Sequence, residues 1–138
     1  MKKLKGWGYY SHSKKIFDTE RERLESNFIK SKFQLGVFCP NKSLLKEFEY
    51  DYTFFIGYST QVFVSEFEGA IGYGSYKDCL FALENNIPVL VIRQRGKKLS
   101  AEPLESMEWI LEKNYSRYAR LLTKKDSPKK VDADISQK

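Results

Sequence analysis

Apolar residues fall into short runs separated by stretches in which they recur three and four positions apart, the alternation that βαβ units produce. Leu4 to Tyr10 predicts a first strand, ending in the polar loop Ser11-His12-Ser13-Lys14-Lys15. Thr19-x-x-Glu22 has capping-box spacing, so a helix should begin there and bury Leu24, Phe28 and Phe33. Leu35 to Cys39 predicts a second strand, stopped by Pro40-Asn41. From Leu44 to Tyr58 the helical spacing of Leu44, Leu45, Phe48, Tyr52, Phe55 and Ile56 competes with an aromatic content that suits a strand, and we read it as helix. Gln61 to Phe67 predicts a third strand whose unbroken Val62-Phe63-Val64 centre suits burial on both faces. A loop over Gly69 to Gly74 leads to a helix from Ser75 to Asn85, with Tyr76, Cys79, Leu80 and Leu83 on one face, and then to a strand from Pro88 to Arg93. Pro103 opens a last helix with the stripe Leu104, Met107, Leu111, Tyr115, Tyr118 and Leu122.

This order predicts an α/β three-layer sandwich around a mainly parallel sheet of four or five strands, of the flavodoxin or Rossmann-like kind. Its 138 residues, 41% hydrophobic, suit a single domain over 1–122, followed by a polar basic tail over 123–138. An aromatic content of 15% excludes disorder of the whole chain, and no apolar run approaches the length of a membrane span. The basic start continues into Trp7-Gly8-Tyr9-Tyr10 and not into an apolar signal core, so a cytoplasmic location is expected. Cys39, Cys79 and the single histidine, His12, lack the spacing of a disulfide framework or a zinc cage, so no metal is expected. The two cysteines read as small buried hydrophobes. The net charge of +6 is spread along the chain, which disfavours a nucleic-acid groove but suits an anionic small molecule.

Right-handed crossovers should bring the Ser11–Lys15 loop and the Gly69–Ser75 loop to one sheet edge, where open α/β sheets bind ligands. Gly69, Gly72 and Gly74 permit close backbone approach, and the following helix start offers N–H groups to an anion. Gly72-Tyr73-Gly74 is followed by Lys77 where a dinucleotide fingerprint needs its third glycine, which disfavours NAD. Tyr10, Ser11, His12, Ser13 and Lys14 can ring a phosphate and base, and Glu66 at the end of the third strand can supply a second acid. An ordinary polar loop and a solvated strand edge account for the same residues without a ligand. Ser75-x-x-Asp78 equally has the spacing of a helix cap, and Arg93 and Arg95 can face solvent or a phosphate.

Gly74-Ser75-Tyr76-Lys77-Asp78-Cys79-Leu80-Phe81-Ala82, followed by Asn86-Ile87-Pro88-Val89-Leu90-Val91-Ile92, resembles the G-T-x-x-E-x-G-x-A … K-P-V segment of the nucleoside 2-deoxyribosyltransferase-like superfamily, which includes deoxynucleotide N-glycoside hydrolases. The resemblance implies cleavage or transfer of an N-glycosidic bond through a carboxylate nucleophile at Asp78, with Tyr10, Ser11 and Ser75 positioning the sugar and no cofactor. It also implies a homo-oligomer, for which the 44–58 segment and the last helix offer aromatic surface. Asp78 stands where the motif has glutamate, Gly72 where it has an acid and Leu80 where it has glycine. Those substitutions are what a non-catalytic nucleotide-binding protein of the same fold would carry.

Overall fold

The computed structural model describes residues 5–40, 53–67, 69–111 and 117–124. In chain order it contains β1 (Trp7–Ser11), a 3-10 turn (Lys14–Ile16), α1 (Glu20–Phe33), β2 (Gly36–Phe38), α2 (Thr53–Tyr58), β3 (Gln61–Ser65), β4 (Ile71–Gly72) and α3 (Tyr73–Glu84). The strands β5 (Val89–Arg95), β6 (Lys98–Pro103), β7 (Ser106–Leu111) and β8 (Arg117–Leu122) complete it. A five-stranded sheet has the order β2-β1-β3-β5-β6, with the first four parallel and β6 antiparallel to β5. The mainly parallel sheet expected from the alternation is therefore present.

Successive strand residues face opposite layers. Tyr9, Val62, Val64 and Val91 join Phe55 and Ile56 of α2 and Cys79 and Ala82 of α3 in one core. Tyr10, Phe63 and Ile92 join Ile29 of α1 in the other. Both sheet faces are thus covered by helices, which explains why β3 is apolar without alternation. No helix among the described residues is long and apolar enough to cross a membrane.

The Thr19 side chain caps α1 by accepting from Glu22 N, and Lys30 and Lys32 in the last turn complement the helix dipole. Its buried face is not the expected one: Leu24 is exposed, Phe28 and Phe33 are only partly buried, and the inward residues are Glu22, Glu25 and Ile29. Glutamates turn inward because polar partners from β1 and β3 meet them there. In α3 the inward residues are Cys79 and Ala82, while Leu80 and Leu83 are exposed.

The largest departure lies after residue 95. The expected last helix is instead β6, β7 and β8, of which β7 and β8 form a second sheet with β4 in the order β4-β8-β7. Ala119 and Leu121 are buried on either side of exposed Arg120, a period of two that seats β8 against α3. Arg95 pairs with Lys98 across Gly96-Lys97, and Gly96 has φ 64°, the left-handed conformation that a two-residue hairpin turn needs. Thr123 is buried and hydrogen-bonded to Glu102 Oε1 at 3.0 Å, so the folded body extends past the expected end at 122. The segment over 41–52, Glu68, Tyr115 and the tail beyond 124 lie outside the described residues.

Candidate functional site

From β1 the chain runs outward to β2 and then returns across β1 to β3, so adjacent parallel strands β1 and β3 feed connections on opposite faces of the sheet. A crevice forms at the carboxyl ends of such a pair. Ser11 ends β1 and Ser65 ends β3, and their side chains face opposite layers. Ser11 is directed at α3 and Ser65 at α1.

On the α3 side, buried Ser11 Oγ lies 2.8 Å from Asp78 Oδ2 and 2.9 Å from Ser75 Oγ. A hydroxyl carries one proton. When Asp78 is ionised, Ser11 donates to it and Ser75 donates to Ser11, giving a directed chain of two hydroxyls ending on a carboxylate. The end of β1 and the start of α3 therefore meet, as the crossover rule predicts. Burial pushes the Asp78 carboxyl up to about 7, against the hydrogen bond from Ser11 and the nearby Lys77 charge. The N-cap of α3 is Gly72 and makes no side-chain cap, which places Ser75 and Asp78 inside the helix. The cap expected from Ser75-x-x-Asp78 is not formed, and Asp78 occupies the second turn of α3, not the first. Desolvation, and not the field of the helix start, therefore governs this carboxyl.

Gly72 has φ −80° and Gly74 is helical, so neither needs a positive φ; Gly69, with φ 82°, does. A Cβ built at Gly72 or Gly74 would meet nothing within 4 Å. A ligand can approach the backbone there, beside first-turn N–H groups that have no intrahelical acceptor.

Several candidates are directed elsewhere. Tyr10 is fully buried on the α1 side, where its hydroxyl donates to Glu25 Oε1 at 2.5 Å, so it does not face the sugar position beside Asp78. Burial and the Glu25 charge raise the Tyr10 pKa. His12 stacks on Tyr10 with ring centroids 3.9 Å apart and meets Glu22, so it faces α1 and not a base held near Ser11. Ser13 Oγ accepts from Lys15 N at 3.1 Å, closing the 3-10 turn. Lys14 lies in that turn, and its side chain is outside the described set. Glu66 is not a free second acid, because Oε1 pairs with Arg93 Nε at 3.4 Å and Oε2 accepts from Leu121 N at 3.3 Å, fastening β8 to the main sheet. Arg95 is held by Glu102 at 2.9 Å. Cys39 and Cys79 are buried as expected, and burial raises the Cys79 pKa.

Sequence reasoning missed the polar core beneath α1. Glu25 accepts from the Tyr10 hydroxyl, from Ser65 Oγ at 3.1 Å and from Arg21 Nε at 3.1 Å, while Arg21 Nη2 donates to Ser65 Oγ at 2.8 Å and to the Glu66 carbonyl. The available signal was Arg21 and Glu25 at i,i+4, which a surface pair shares. A cleft of about 550 Å³, lined by Asp18, Thr19, Glu22, Arg23, Asn27 and Cys39, opens along α1, across the sheet from Asp78. Comparison of the chain with models of protein families, with curated proteins and with solved structures finds no match.

Proposed function

We propose that this chain cleaves or transfers the N-glycosidic bond of a nucleoside or nucleotide, on a flavodoxin or Rossmann-like version of the α/β sandwich, as its resemblance to the nucleoside 2-deoxyribosyltransferase-like superfamily implies. The observation carrying this reading is the Asp78 carboxylate held 2.8 Å from Ser11 beside Ser75, at the end of β1. Ionised Asp78 attacks the anomeric carbon, the carbon–nitrogen bond breaks, and the base departs with the electron pair and takes up a proton from solvent. Water or a second base then attacks the glycosyl ester and frees the carboxylate. Ser11 and Ser75 orient the nucleophile, and the uncrowded backbone at Gly72 and Gly74 accommodates sugar or phosphate. Incubation with deoxynucleosides and their monophosphates, read as free base by chromatography, tests this. Wild type should release base at a rate that climbs with pH through about 7, where Asp78 ionises, and Asp78→Ala should lose about 10³-fold. Undiminished release by the variant would refute the assignment.

The raised pKa also favours a second reading, a nucleotide-derivative binding protein in which neutral Asp78 donates a hydrogen bond. Thermal stabilisation by nucleotides without turnover would select it; a ligand at 100 times its dissociation constant adds about 2.7 kcal/mol. For assembly we propose a homodimer through the apolar surface of α2 and α3, where Phe54 is 73% and Tyr58 64% exposed beside Leu80 and Leu83. The last helix expected to share this role is absent. Sedimentation at micromolar concentration should give twice 16.2 kDa, and the monomer mass would exclude the dimer.

A further inference from the structure

Across the sheet from Asp78, three side chains from separate elements converge: His12 from the loop after β1, Glu22 from the first turn of α1 and Cys39 from the end of β2. Their donor atoms lie within 4.8 Å of one another, and all three residues are buried, with exposures of 7%, 3% and 4%. His12 Nε2 is 2.7 Å from Glu22 Oε2, and Cys39 Sγ is 3.7 Å from the same oxygen.

The orientation of the imidazole makes this arrangement informative. His12 Nδ1 faces the Tyr10 carbonyl oxygen at 3.2 Å, a contact that becomes a hydrogen bond in the neutral tautomer with its proton on Nδ1. Nε2 then presents its lone pair to a carboxylate oxygen. Two acceptors at that distance need a positive centre between them, either a proton or a metal cation. The other Glu22 oxygen is already oriented, because Oε1 accepts from Asp18 N at 3.0 Å. A backbone acceptor on the ligating histidine and a backbone donor on the ligating carboxylate are the outer contacts that hold metal ligands in place.

We propose that His12 Nε2, Glu22 Oε2 and Cys39 Sγ form a binding site for one divalent transition cation of the zinc type, with the fourth position facing the cleft along α1. Nitrogen, oxygen and thiolate together suit zinc and disfavour calcium or magnesium, which take oxygen ligands. Zinc bonds of about 2.0–2.3 Å place tetrahedral ligand atoms roughly 3.2–3.8 Å apart, so the His12–Glu22 contact opens slightly to admit the ion. Both Glu22 and Cys39 line the 550 Å³ cleft, which gives the ion an access path and room for a water as fourth ligand. Binding expels the Cys39 thiol proton, and any proton held between His12 and Glu22, to solvent, so affinity increases with pH. The site was invisible in sequence because its ligands have none of the short spacings of zinc motifs.

Titrating metal-free protein with Co²⁺ tests this without reference to base release. We expect one equivalent bound with visible ligand-field bands and a near-ultraviolet thiolate charge-transfer band, all displaced by Zn²⁺. Cys39→Ser should abolish the charge-transfer band and Cys79→Ser should leave it unchanged, while Glu22→Gln should weaken Co²⁺ binding at least about tenfold. Absence of the band in wild type would overturn the proposal, and so would its survival in Cys39→Ser. The wild-type titration decides the matter by itself if a variant does not fold.

Discussion

Glu25→Ala is expected to cost about 2–3 kcal/mol of stability, because it leaves the buried Tyr10 hydroxyl without its acceptor and takes one partner each from Ser65 and Arg21. The glutamate side chain is 5% exposed and accepts from Tyr10, Ser65 and Arg21, whereas Arg21 is 41% exposed and keeps Ser65 and the Glu66 carbonyl as partners. Tyr10→Phe removes one donor while Glu25 keeps the other two, and should cost only about 1–2 kcal/mol. Urea denaturation measures both, provided the slope with denaturant is unchanged. A loss below about 1 kcal/mol for Glu25→Ala would show that the network contributes no more than a surface ion pair.

Asp78→Asn should stabilise the fold at neutral pH even as it removes the proposed nucleophile. Asparagine can still accept from Ser11, and it has no charge to desolvate. The carboxyl rises from 3.8 unfolded to about 7 folded, so the folded state binds its proton more tightly than the unfolded state does. The stabilising contribution of that proton is complete below pH 3.8, declines as the pH rises and is lost above about 7. At 1.36 kcal/mol for each pH unit between the two pKa values, and allowing for the solvent contact that Asp78 keeps, the variant should gain about 2–3 kcal/mol above pH 7. It should gain almost nothing near pH 4. Denaturation of both proteins across pH 4–8 checks the slope. A constant difference would show that burial does not govern this carboxyl.

The parallel sheet was legible because β1, β3 and β5 are short apolar runs between helical stretches, and the right-handed crossover brings Ser11 to Ser75 and Asp78 with no further information. Two features resisted. Between 103 and 122, Leu104, Met107 and Leu111 satisfy helical spacing, and the opposing signal, Ala119 and Leu121 about Arg120, is only three residues long. Hydropathy also assigned Leu24 to the core and gave no reason to bury Glu22 or Glu25. Glu22 and Glu25 turn inward because Tyr10, His12 and Ser65, at or just beyond the ends of β1 and β3, supply polar partners that helical periodicity does not register. Strand alternation misplaced Tyr10 as well: adjacent positions on β1 face opposite layers, so Ser11 reaches the α3 side and Tyr10 does not.

The most direct test of the proposed chemistry is to quench a single turnover of a deoxynucleoside monophosphate with acid and analyse the peptides by mass spectrometry. A deoxyribosyl phosphate adduct on the peptide carrying Asp78, formed at the rate of base release and absent in Asp78→Asn, is the predicted result. Base release with no adduct, or with an adduct on another residue, would contradict Asp78 as the nucleophile.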